Sequence, residues 1–204
     1  MKNSNILNDL LFQFRNIKNH KLSKKKPIIC IDTEFLKNDS KKVKDFTILE
    51  VGFSIVKDNK QITTHYIVEE NKDIYHDIET YDKKHDFLFK TKIMKFEDIK
   101  LEIKDILADD NYMFVGHGIK QDLDIFGIKT KFNKRFDTQN IHLYLQKYIN
   151  NDGKSLSFKT LLEDFNVDFK EELLHNAGND AFYFIKLLNK VIHAQPIKLK
   201  KENK

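Results

Sequence analysis

Two apolar runs, FTILEVGFSIV (46–56) and QITTHYIVEE (61–70), are separated by only the four residues KDNK. A polar link that short between two runs rich in β-branched and aromatic residues leaves an antiparallel hairpin as the connection. A third apolar run, IICIDTEF, follows Pro27 and reads as a strand ahead of the hairpin. Beyond residue 95 the pattern changes. FEDIKLEIKDILADD repeats Ile99, Ile103, Ile106 and Leu107 at helical spacing, and YMFVGH is a strand running through Gly116 and Gly118 into the short helix IKQDLDIFG. KRFDT closes a further strand, QNIHLYLQKYI and SLSFKTLLEDF read as helices, and NAGNDAFYFIKLLNKVIHA is a last long helix stopped by Pro196. Strands first, then strand and helix in alternation, imply an α/β domain built on a mixed sheet with helices on both faces. The stretch 71–95 is polar and irregular, and is expected to be a long loop or insertion bordering a binding surface.

With 204 residues and 40% hydrophobic content the chain can bury one real core. The expected organisation is an amphipathic helix and basic linker at 1–26, one domain at 27–195 and a basic tail at 196–204. The helix rests on SNILNDLLFQFRNI, which sets Ile6, Leu7, Leu10, Leu11, Phe14 and Ile17 on one stripe. It is expected to dock on the domain or on a protein partner. Asp9 and a lone Arg15 fit a mitochondrial presequence poorly. The formal charge of +5 comes largely from KNHKLSKKK and KLKKENK at the two ends, runs that read first as solvated tails and second as attraction for nucleic acid. No apolar run approaches the ~20 residues of a membrane span. The single cysteine, Cys30, excludes an internal disulfide and a cysteine-rich zinc site, and suits a reducing, intracellular compartment.

The informative residues are acids in apolar company. Strand alternation puts Asp32 and Glu34 on one side and Thr33 on the other, at the carboxyl end of an apolar strand, where open α/β sheets bind ligands. Asp122 shares a helical stripe with Ile119 and Phe126, whereas Asp124 points away from it. Asp180 has Phe184, Leu187 and Val191 at plus four, seven and eleven, and a lone ionised acid there is costly to desolvate. Ala177 and Gly178, one turn earlier, are expected to leave room for a ligand above it. Four acids converging on one place repel unless a cation joins them. Hard oxygen ligands without Cys or a His cluster favour Mg²⁺ or Mn²⁺, and a carboxylate-held metal pair suits in-line phosphodiester displacement. His175, five residues before Asp180, has a side chain suited to take a proton from water near neutrality. His117 and Asp122 repeat that spacing, but His117 ends a strand in a Gly-flanked turn and is expected to position backbone or fill space. Asp137 and Thr138 sit where either caps the following helix, Glu50 reads as structural or solvated, and the second D-x-E, Asp77 and Glu79, as solvated.

IDTEF, VGHGIKQDL and HNAGNDA, in that order on strand, helix and helix, resemble the DEDDh branch of the DnaQ-like exonucleases, over roughly residues 27–194. The resemblance implies a ribonuclease H-like mixed sheet of five strands in the order 3-2-1-4-5 with strand 2 antiparallel. It implies metal ligation by Asp32, Glu34, Asp122 and Asp180, two divalent cations, Mg²⁺ or Mn²⁺, and His175 as general base. It further implies 3′-to-5′ removal of nucleoside 5′-monophosphates from single-stranded nucleic acid, RNA slightly favoured over DNA, with Phe35 and Leu36 meeting the terminal base or sugar. Stacking on an aromatic face tolerates any base, which suits such an enzyme. The competing reading from another class is a catalytically silent module of the same fold that binds nucleic acid or a protein partner. A phosphodiesterase for very short oligonucleotides and a proofreading partner of a polymerase are further enzymatic variants.

Overall fold

The computed structural model describes residues 12–13, 15–19, 27–37, 46–58, 60–77, 88, 90–107, 112–131, 134–139 and 156–193. The expected helix at 139–149, the Asp77/Glu79 side chains, the basic linker and the basic tail lie outside the described residues or side chains. Among the described residues six strands form one sheet: β1 (Ile28–Lys37), β2 (Phe46–Lys57), β3 (Lys60–Val68), β4 (Thr91–Met94), β5 (Met113–Gly116) and β6 (Arg135–Asp137). Their spatial order is β4-β3-β2-β1-β5-β6. β2 is antiparallel to both neighbours, while β1/β5, β5/β6 and β3/β4 are parallel. The expected order of five strands is therefore present, with one strand added at the edge.

That added strand corrects the reading of 71–95 as loop. The segment holds the short helix α1 (Lys72–Asp77), and then Thr91–Met94 pairs alongside His65–Val68. Four residues, TKIM, with only partial burial carry no alternation from which a strand can be told.

The strand period sets the two core layers. Ile28 and Cys30 of β1, with Met113, Val115 and Phe136, face α4 (Phe158–Asp164) and α5 (Ala177–Val191). Ile29 and Ile31, one residue out of phase, face α2 (Phe96–Ile106) and α3 (Lys120–Ile125) across Val51, Phe53 and Tyr66. The helix stripes match in most positions: Ile99 and Ile103 of α2, and Leu123 of α3 with its flanking Ile119, are buried, and Leu107 packs against them, whereas Ile106 of the expected stripe is 38% exposed in the last turn of α2. Each fully buried side chain of this kind contributes roughly 1.5–3 kcal/mol through removal from water. Ser157 caps α4 and Asn176 caps α5, each side-chain oxygen accepting a backbone N–H three residues on. Residues 12, 13 and 15–19 are helical and lie on the domain: Ile17 belongs to the core layer of α4 and α5, and Gln13 Oε1 accepts the backbone N–H of Asp137 at 2.9 Å. Among the described residues no helix is long and apolar enough to cross a membrane.

Helix α5 lies on the sheet at backbone contact. A Cβ added at Gly52 of β2 would fall 1.8 Å from the carbonyl oxygen of Ala177, and one at Gly178 would fall 2.7 Å from Cβ of His65. Only glycine permits this approach at either position. The room expected above Ala177 and Gly178 is thus filled by β2 and β3, and the small residues serve helix-to-sheet packing. Space for a ligand lies beyond Asp180.

Candidate active site

Asp32 and Glu34 share the phase of Cys30, so both face the α4/α5 side, and the β1/β2 ladder shifts register just past them, between Glu34 and Phe35. Both line a cleft of about 430 Å³ together with Thr33, His117, Phe158, Lys159, His175 and Asp180. One ligand atom each from Glu34, His175 and Asp180 lie within 4.8 Å of one another.

The local chain explains how His175 and Asp180 meet. His175 has φ +61°, a left-handed conformation sparsely used by residues other than glycine, though His is among those that adopt it more often. That kink separates the 3₁₀ turn Glu171–Leu173 from the cap Asn176 and leaves the imidazole exposed. The backbone N–H of His175 donates to Oδ2 of Asp180 at 3.2 Å, closing the turn onto the first helical turn of α5.

Asp122 enters from the opposite layer. Thr33, facing the α2/α3 side, donates from Oγ1 to Asp122 Oδ1 at 2.7 Å, so the two meet at the end of β1. Asp122 is buried and stands behind the cleft rather than in its wall. Burial pushes its carboxyl up to about 7, against the lowering effect of the Thr33 hydrogen bond. Asp32 is held well above the usual carboxylate range, first by burial and then by the negative charges of Asp122, Asp180, Glu34 and Glu50. Burial, and then the charges of Asp32, Asp122 and Asp180, also raise the Cys30 thiol, leaving it an inert core residue.

Of the five polar residues expected at the site, Asp32, Glu34, His175 and Asp180 therefore line one cleft, and Asp122 stands behind it on Thr33. Phe35 and Leu36 are placed differently. Phe35 packs edge-on against Phe46 at 4.9 Å beside the α2/α3 layer, and Leu36 is 38% exposed; neither lines the cleft. His117 does line it, with Nδ1 3.0 Å from Thr138 Oγ1, and burial lowers its pKa. Asp137 Oδ1 accepts the backbone N–H groups of Gly118 and Gln139 at 2.8 and 2.9 Å, tying the turn after β5 to the end of β6.

Some cleft residues escaped the sequence reading. Phe158 stacks on Phe184 with centroids 6.1 Å apart and presents an aromatic surface, and Lys159 adds a cation at the rim, hydrogen-bonded to Glu171 at 2.6 Å. The signal for their placement is the Ser157 cap, which begins α4 where the chain reaches the cleft. Glu50 is the larger surprise. It is 1% exposed, and its Oε2 accepts from His65 Nε2 at 3.0 Å, Asn176 Nδ2 at 2.8 Å and the Ala177 N–H at 3.1 Å. It is structural and buried rather than solvated.

The acids fit a divalent cation: they crowd one another, and the donors are carboxylate oxygens with a single imidazole, a set suited to Mg²⁺ or Mn²⁺. The family model described as DNA polymerase III subunit epsilon-like, C-terminal domain, of the DEDDh type, matches residues 27–191. No curated protein matches the chain. Among solved structures, the Pan2 pseudoubiquitin hydrolase-RNA exonuclease module of Saccharomyces cerevisiae in complex with AAGGA RNA aligns with TM-score 0.57 and 17% identity, over 85% of this chain and 30% of that one. The Pan2 catalytic unit of Neurospora crassa, comprising protease and nuclease domains, aligns with TM-score 0.51 and 19% identity, over 80% of this chain and 26% of that one. At these identities the likeness is one of fold, and this chain spans less than a third of the length of either of these two chains.

Proposed function

Because the chain belongs to the DEDDh exonuclease family, ribonuclease H-like in fold, we propose that it is a metal-dependent 3′-to-5′ exonuclease acting on single-stranded nucleic acid, RNA before DNA. The observation that carries the reading is the meeting of Glu34, His175 and Asp180 within 4.8 Å at the mouth of a cleft that also holds Asp32. Asp32, Glu34, Asp122 and Asp180 would hold two divalent cations, Mg²⁺ or Mn²⁺. When bound, such ions supply charge that stabilises the attacking and leaving oxygens of an in-line displacement.

The chain's own residues do the rest. His175, exposed beside Glu34 and Asp180, takes a proton from the attacking water through a ring nitrogen. The new bond joins the water oxygen to phosphorus, the bond to the 3′ oxygen of the preceding nucleotide breaks, and a nucleoside 5′-monophosphate leaves. Phe158 offers an aromatic surface for a base, and Leu36 an exposed apolar one at the end of β1. RNA is favoured because a fold relative is solved with RNA bound.

The test is a time course on 5′-labelled single-stranded RNA and DNA of one sequence, with Mg²⁺, Mn²⁺ or EDTA, comparing wild type with His175→Ala. A metal-dependent ladder shortening from the 3′ end and lost in the variant is the expected result. Absence of cleavage of both polymers with every metal would shift the reading to a silent binding module.

A further inference from the structure

We infer that the added edge strand β4 reaches the active-site turn through a buried polar relay, Thr91 to His65 to Glu50, which positions His175 and Asp180. The inference rests on the roles proposed above for those two residues.

The relay runs beneath the first turn of α5. His65 is 0% exposed and Glu50 1%, in the interior between sheet and helix. His65 Nδ1 lies 3.0 Å from Thr91 Oγ1, and Nε2 lies 3.0 Å from Glu50 Oε2. A carboxylate oxygen accepts only, so Nε2 carries the proton in that contact, and a neutral imidazole accepts from the Thr91 hydroxyl at Nδ1. Glu50 Oε2 receives two further donors, Asn176 Nδ2 and the Ala177 N–H, the cap and the first residue of α5. A negative oxygen at a helix N-terminus is favourably placed with respect to the helix dipole.

A second tie comes from the same segment of chain. The Leu88 backbone N–H donates to Asn179 Oδ1 at 3.2 Å, while Asn179 Nδ2 donates to the Leu173 carbonyl at 3.0 Å. Thus Leu88, three residues before β4, holds Asn179, which in turn spans the His175 turn to Leu173. The Gly52 and Gly178 contacts set the depth of α5 on the sheet, and the Glu50 oxygen sets its rotation. Asn176 adjoins His175, and Ala177 is one turn from Asp180 on the same helix, so a tilt of this turn moves the proposed base and ligand together. A buried polar relay is not needed for stability alone, because well-packed apolar residues do as well. Its directional bonds are what an apolar pair does not supply.

The experiment uses the full chain and the variants Thr91→Val, Thr91→Ser, Glu50→Gln and His65→Gln. Four quantities are read: thermal midpoint, kcat and KM on single-stranded RNA with Mn²⁺, and amide hydrogen exchange at 175–181. Glu50→Gln and His65→Gln are expected to lower kcat by about 10 to 100-fold, the range seen when partners that orient a site's ligands are removed. KM should stay within about threefold, and exchange at 175–181 should rise while β1 and β5 keep their protection. Thr91→Val, distant from the cleft, should lower kcat by about fivefold, the loss of one hydrogen bond, and Thr91→Ser should restore it. Variants that melt earlier but keep kcat and exchange at 175–181 would overturn the relay, reducing it to packing. If Glu50→Gln fails to fold, Thr91→Val decides alone. If wild type cleaves no nucleic acid, the exonuclease reading falls, and exchange at 175–181 in Thr91→Val still decides whether β4 orders the turn.

Discussion

Glu50 and Asp180 lie against the same turn of α5, one beneath it and one facing the cleft, and their surroundings are opposite in character. Three donors meet one oxygen of Glu50, from an imidazole, an amide and a backbone N–H. Asp180 faces other acids, and the cost shows on its neighbour Asp32, whose carboxyl is pushed up by burial and by Asp122, Asp180, Glu34 and Glu50. A buried carboxylate surrounded by donors completes the fold. Carboxylates that surround one another repel, and the proposed cations would offset that repulsion.

The strongest way to break this comparison is Asp180→Asn. It should lower the cleavage rate on the order of a thousandfold or more, yet leave the metal-free melting temperature unchanged or higher, since one charge leaves a repelling group. Retained activity with a large drop in melting temperature would place Asp180 with Glu50. Glu50→Ala should give the opposite signature, a loss of about 3 to 5 kcal/mol in a urea melt, because three buried donors lose their acceptor. A loss under about 1 kcal/mol would remove the contrast.

The pH dependence sharpens the same point. Asp122 has its folded value raised from 3.8 to about 7, so between those values the folded chain holds a proton that the unfolded chain has released. Metal-free stability should therefore fall as pH rises from about 4 to about 7, by about 2 to 4 kcal/mol, and level off above. Melts from pH 4 to pH 8 check it, and Mn²⁺ should raise the midpoint more at pH 8 than at pH 5, because the ligands must be deprotonated. A rise in metal-free stability over that window would contradict the crowding of the acids. The smallest effect is expected of Thr33→Val. It removes the donor that lowers Asp122, shifts the levelling-off to higher pH and costs about 1 kcal/mol at pH 8.

Much of this was legible in the sequence because it depends on local period. Alternation along IICIDTEF put Asp32 and Glu34 on one face, and the helical stripe through Ile119 and Phe126 turned Asp122 inward. What was not legible depends on which strands lie together. His65 is opposite Gly52 in the β2/β3 ladder, two residues from Glu50, and only that register with α5 above brings Glu50, His65 and Asn176 to one point. Ala177 and Gly178 read as open space because small residues allow close approach equally to a ligand or to a strand. β4 escaped because its pairing partner, not its composition, makes it a strand.

The left-handed backbone at His175 has a consequence for descent. A position at φ +61° is cheap for glycine and asparagine, less so for most other residues, and steeply unfavourable for β-branched ones. Once selection on turnover relaxes, substitution there is channelled towards Asn or Gly, which keep the turn and discard the imidazole. If His175 is the base proposed above, a folded chain without turnover therefore lies one backbone-compatible replacement away.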